Sequence, residues 1–293
     1  MRNNSGRVSV DLSNDDVASQ LITAHESNQR IDSTLGQSQL SFPSSTEIVK
    51  LPSGGQYYSE DHPLYETESV EIRYMTAKDE DILTSKSLLK QGVAIDRFIE
   101  NIIVGKRIKA KDLLSGDKNA ILVAARATGF GPEYTTKVTC PSCNSVSSHT
   151  FDLSEVETKE EPDYDLLGVE KTANGTFLIT LPKTQALVEL KLMTGKDETD
   201  LLLTIEKREK KGLPSSNLTT QLSYLVKSIN GIENRTDITR IIENLPSYDT
   251  RHIREVYSKI VPNLDMNQQF ECSNCSYSEE VAIPITVDFF WSR

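Results

Sequence analysis

The sequence predicts an α+β fold made of two homologous modules, each a helical cluster with short antiparallel strands. Three observations point there. Short period-two apolar runs stand beside longer runs at helical spacing. One strand, cap and helix stretch occurs twice. Each half carries one Cys-x-x-Cys near its end.

The elements follow in chain order. Residues 1–47 read as a polar arm: Ser, Thr, Asn and Gln fill 21 of the first 46 positions, and no aromatic precedes Phe42. Such a segment buries too little apolar surface to offset its ordering entropy. Its sparse anchors, Val17, Leu21, Ile22, Leu35, Leu40 and Phe42, suit a segment that orders on a partner; a solvated leader is the other reading.

Order is expected from Ile48. Pro52 to Gly55 make a turn before Tyr57 and Tyr58, and the two glycines permit positive φ. With no strand before the pair and no Lys-Ser/Thr after it, it is a poor phosphate loop. Val70, Ile72 and Tyr74 alternate with Glu71 and Arg73, a half-buried strand. Thr76 then signals a helix running to Lys90 and stopping at Gly92. A second helix spans 94–104, with Ile95, Phe98, Ile99, Ile102 and Ile103 on one face. Asp117 is placed to cap a third helix that ends near Gly129 to Pro132. A strand at 134–139 leads into Cys140.

The second half repeats this order. "VEIRYMTAKDED" at 70–81 returns as "VELKLMTGKDET" at 188–199. Further on, Leu113, Asp117, Ile121, Cys140 and Cys143 correspond to Leu245, Asp249, Ile253, Cys272 and Cys275. The modules are read as 48–155 and 173–293, with 156–172 as an acidic connector containing Pro162. In module two, helices are expected at 195–211 and 218–229. Thr236 is expected to cap 237–244, and Asp249 to cap 250–260. The end, "ITVDFFWSR", reads as a terminal strand through Ile285, Val287 and Phe289. Its clustered aromatics Phe289, Phe290 and Trp291 dock into the core or onto a partner.

"TCPSCNS" and "ECSNCSY" each resemble a zinc knuckle, in which two thiolates three residues apart face one ion. Two such pairs complete a closed four-sulfur site, so Cys140, Cys143, Cys272 and Cys275 are read as the ligands of one structural Zn²⁺ per chain. Another thiolate metal and metal-free thiols are the alternatives. Asn144 and Ser276 stand where a tight backbone turn and amide donation to sulfur are expected. His149 and His252 lie off knuckle spacing and are read as ordinary histidines. A redox role is disfavoured, because the redox Cys-x-x-Cys opens a helix rather than a β-turn.

Little else suggests chemistry. Asp79, Glu80 and Asp81, like Asp197 and Glu198, sit where first-turn acids complement a helix dipole. Lys207 to Lys211 is a short basic run at a helix end. The net charge of −11 argues against gripping nucleic acid. No apolar run reaches the length of a membrane span, and no apolar core of a secretory signal stands at the N-terminus. No nucleophile and base pattern is present, so no enzyme is expected.

The blocks "LPSGGQYY", "VEIRYMTAKDEDILTSKSLLKQG", "SINGIEN" and "LPSYD", the two knuckles and the final "FFW" resemble the T-even phage baseplate protein family. These are hub or hub-assembly subunits of contractile tails, and the resemblance spans about 48–293. It implies a structural subunit of the baseplate hub, present in the virion tail and assembled in the host bacterial cytoplasm. Its partners would be other baseplate and tail proteins, within an oligomer. It carries no catalytic residue over. A transient assembly factor absent from the virion is the alternative within the family. A zinc-ribbon adaptor in transcription is the alternative of another class; it requires a basic face that this acidic chain does not offer.

Overall fold

The computed structural model describes residues 45–105, 107–212, 217–284 and 287–290. The expectation for the arm falls outside the described residues as far as position 44. The first strand, β1 (Thr46–Lys50), already begins at Thr46 and pairs antiparallel with β2 (Ser69–Arg73). The turn between them is folded on itself. Gly55 has φ of 75°, and a Cβ there would lie 2.2 Å from the Thr67 amide nitrogen, so no other residue fits.

After β2 come α1 (Ala77–Thr84), α2 (Lys86–Lys90) and α3 (Ala94–Ile102). The single helix expected as far as Lys90 breaks at Ser85, which is extended and links its hydroxyl to that of Ser87. Helix α3 buries Phe98, Ile99 and Ile102 as its apolar spacing required. Helix α4 (Ser115–Phe130) leads into the ribbon of β3 (Glu133–Thr139) and β4 (Val146–Asp152).

Residues 156–172, expected to be a solvated connector, are built into the fold. Strand β5 (Glu157–Thr158) pairs with β10 (Leu264–Asp265). Helix α5 (Tyr164–Leu167) precedes β6 (Val169–Lys171), and Tyr164 stacks on Phe177. Acidic composition there hid three apolar anchors, Tyr164, Leu167 and Val169. Strands β6, β7 (Phe177–Thr180), β8 (Leu187–Leu190) and β9 (Val226–Ile229) form one antiparallel sheet in that order.

Helices α6 (Gly195–Lys210) and α7 (Asn217–Leu225) lie between β8 and β9. The helix expected over 218–229 therefore ends at Leu225, and Val226 to Ile229 pair with β8. A short apolar run with β-branched residues is ambiguous from periodicity, and the open sheet edge decides it. Helix α8 (Arg235–Asn244) is capped by Asn234, whose side chain accepts from the amides of Thr236 and Asp237, rather than by Thr236. Helix α9 (Ser247–Ile260) is followed by the ribbon of β11 (Asn267–Glu271) and β12 (Ser278–Ala282). The expected terminal strand is absent from the described residues. Val287–Phe290 form a 3₁₀ turn, and Phe289 and Phe290 are buried against Tyr134 and Phe98, with ring centroids 4.9 and 5.2 Å apart. Ile285 and Trp291 lie outside the described residues.

The two aspartates expected as caps do different work. Asp117 and Asp249 are each fully buried in the first turn of a long helix, whose N-caps are Leu114 and Pro246. Asp117 accepts from the Ser53 amide (2.9 Å), the Ser53 hydroxyl (2.6 Å) and the Tyr58 hydroxyl (2.7 Å). Asp249 accepts from the amides of Lys183 (2.8 Å) and Thr184 (2.9 Å) and from the Thr184 hydroxyl (2.8 Å). Each carboxylate thus clamps the turn of a β-hairpin to a helix start. Asp79 and Asp197 stand in the first helical turn as expected, where they form capping boxes with Thr76 and Thr194. They also take Arg73 and Lys191 as ion-pair partners, at 2.7 and 2.6 Å.

One hydrophobic core draws on both halves, with Phe98, Ile102 and Ile121 from the first and Phe177, Val188 and Ile253 from the second. The halves are also stitched through the backbone. The Ser115 amide donates to the Met193 carbonyl (3.0 Å) and the Gly195 amide to the Leu113 carbonyl (2.9 Å). Gly195 makes this approach possible, since a Cβ there would lie 2.7 Å from the Ala110 carbonyl oxygen; Gly116 likewise lets Pro262 close in, where a Cβ would lie 1.9 Å from the Pro262 carbonyl oxygen.

Candidate metal centre

The tips of the ribbons β3–β4 and β11–β12 bring together cysteines separated by about 130 residues of chain. In the first tip the Cys140 amide donates to the Ser145 carbonyl (2.8 Å) and the Asn144 amide to the Cys140 carbonyl (2.9 Å). In the second, the Cys272 amide donates to the Tyr277 carbonyl (3.0 Å). Asn144 takes the expected left-handed conformation, with φ of 56°, while Ser276 does not.

The four sulfurs of Cys140, Cys143, Cys272 and Cys275 all lie within 4.8 Å of one another. The cross-ribbon pairs Cys140–Cys275 and Cys143–Cys272 are each 3.8 Å apart. Cys140 and Cys272 are buried against Phe270, Cys275 is half-buried and Cys143 is exposed. His149 is not part of the group; its ring stands edge-on to Phe151 and Phe270, at 4.6 and 5.2 Å.

Hydrogen bonds to sulfur come from residues other than those expected. The Asn274 amide donates to Cys272 Sγ at 3.4 Å. The Ser145 hydroxyl lies 3.0 Å from Cys143 Sγ and 3.5 Å from Cys272 Sγ. Composition alone hid both, since Ser and Asn are also the common residues of any turn. The Ser145 hydroxyl and amide pull the Cys143 thiol down to about 6. The Tyr277 amide favours the Cys275 thiolate, but burial and the neighbouring thiols push that group up to about 11. Four negative sulfurs at this spacing repel one another, and a bound dication removes that repulsion. The cluster is therefore compatible with a metal site.

The other candidates resolve as structure. Asp79 is fully buried, and hydrogen bonds from Arg73, Thr76 and Asn101 overcome the effect of burial and hold it well below the usual carboxylate range. Glu80 and Asp81 face solvent. Among the described residues, the four cysteines are the one group of metal-ligating side chains found together, and no helix is long and apolar enough to cross a membrane.

No curated protein and no solved structure matches this chain. Residues 44–171 match the family described as T4 bacteriophage base plate protein. The matched segment holds β1 to β6 and the first cysteine ribbon. The resemblance read from the sequence is thereby shown over these residues: the chain is like the T4 phage baseplate proteins.

Proposed function

We propose that the chain is a structural subunit of the hub region of a contractile phage tail baseplate, acting through protein contacts. The family match over residues 44–171 is the observation that carries this reading. Assembly in the host cytoplasm, an oligomeric state within the baseplate and an ordering arm at 1–47 belong to the same proposal. Mass spectrometry of finished particles and of assembly intermediates tests it. Retention in finished tails is the expected result. Presence in intermediates alone would make the chain a transient assembly factor.

We further propose that its halves, 48–155 and 173–293, are homologous modules joined by one structural zinc on Cys140, Cys143, Cys272 and Cys275. Tetrahedral zinc with bonds of about 2.3 Å to sulfur requires sulfurs about 3.8 Å apart. The two cross-ribbon separations of 3.8 Å support that fit. The duplication is supported by the paired clamps of Asp117 and Asp249 and the paired ion pairs of Asp79 and Asp197. Bound zinc would fasten the ribbons without offering an open position for chemistry. Metal content of the freshly purified full chain should be one zinc, lost on changing Cys140 and Cys143 to Ser.

A further inference from the structure

We infer that Ser145 and Asn274 are positioning residues of the metal centre, each bracing a sulfur of the opposite ribbon. The inference rests on the metal reading proposed above. Ser145 belongs to the first ribbon tip, yet its hydroxyl reaches Cys272 Sγ of the second at 3.5 Å as well as Cys143 Sγ at 3.0 Å. Asn274 belongs to the second tip, yet its side-chain nitrogen lies 3.9 Å from Cys143 Sγ of the first. The two contacts cross the joint in opposite directions.

Their chemistry is set by the state of the ligands. A metal-bound cysteine is a thiolate and can only accept, so hydroxyl and amide must both donate. The single Ser145 proton is shared between the two sulfurs, and that sharing ties the ribbons together. Four thiolates on one dication leave a net charge of about −2, and donated hydrogen bonds disperse it and fix the sulfur positions. The Ser145 carbonyl is held by the Cys140 amide at 2.8 Å, so the turn itself does not depend on the hydroxyl.

The bracing does not follow the repeat. At the shifts that align the cysteine pairs, Tyr277 stands where Ser145 does, and its hydroxyl turns away to donate to Glu279 at 3.0 Å. Ser142 stands where Asn274 does. Comparing the halves as sequences therefore points to neither residue.

The test uses the full chain, stripped with chelator and titrated with cobalt as a tetrahedral probe. Ser145→Ala should weaken cobalt and zinc binding by about 10-fold to 100-fold and shift the sulfur-to-cobalt charge-transfer band. Asn274→Ala should do the same to a lesser degree, given its longer contact. Ser145→Thr, which keeps the hydroxyl, should restore both affinity and spectrum. Stability of the metal-free protein should be the same in all four. Unchanged affinity and spectrum in Ser145→Ala, or failure of Ser145→Thr to rescue, would overturn the proposal. A wild-type chain that takes up neither metal would overturn the metal reading, and this inference with it.

Discussion

Replacing Asp117 by Ala isolates the energy of one buried clamp. Asp117 and Ser53 are 0% and 3% exposed, and Tyr58 is 8% exposed. Removing the carboxylate leaves the Ser53 amide and the Tyr58 hydroxyl without the acceptor they hold at 2.9 and 2.7 Å. The Ser53 hydroxyl already accepts from the Gly55 amide and can turn elsewhere. Two stranded buried donors cost about 1–3 kcal/mol each. Part of this is returned, because burial raises the Asp117 pKa and so opposes its charged form. The net loss should be about 2–4 kcal/mol. It reads out as a lower urea midpoint at an unchanged slope. Ser53→Ala alone should cost about 1 kcal/mol and add little once Asp117 is gone, because the two share one interaction. A loss below about 1 kcal/mol in Asp117→Ala, or full additivity, would show that the clamp does not hold the turn.

Three other outcomes are expected. Asp249 is the mirror case in pH: its donors from Thr184 and Lys183 outweigh burial and lower its pKa, whereas burial prevails at Asp117. The stability Asp249 contributes is complete above its unfolded value of about 3.9 and is lost as pH falls through its folded pKa. Asp117 behaves oppositely, favouring the folded state increasingly as pH falls from its raised folded pKa toward about 3.9. Urea midpoints across the acid range should therefore show the gap between wild type and Asp249→Asn closing, and that for Asp117→Asn widening. Phe289→Ala, at a side chain 1% exposed and stacked edge-on to Tyr134 and Phe290, should cost about 3–5 kcal/mol in the same assay. Chelation should speed amide exchange at Cys140 and Cys272 while leaving Ile121 and Phe177 protected, because the cysteine ribbons have their own small core; loss of protection throughout would contradict that division.

Much of the fold was legible locally. The alternation in β2, the apolar face of α3 and the N-cap signal at Thr76 are short-range patterns, and each element formed where its pattern lay. Local reasoning failed where a distant neighbour chose between near-equal conformations. Val226 to Ile229 joined a sheet because β8 offered an edge. The 3₁₀ turn at Val287–Phe290 is held by Arg126, whose Nε donates to the Phe289 carbonyl at 3.0 Å.

The candidate site divides the same way. Thiol chemistry and the spacing within each Cys-x-x-Cys were determined by the sequence alone, since three residues of turn suffice to aim two sulfurs at one point. That the two pairs meet at 3.8 Å was decided by the tertiary structure, through the shared core that sets one ribbon against the other. The same holds for Asp117 and Asp249. Their positions near helix starts were visible in the chain, but their partners lie about 65 residues away. A carboxylate does not reveal which of the amides folding brings to it will be left unpaired, and buried donors must find an acceptor wherever packing provides one.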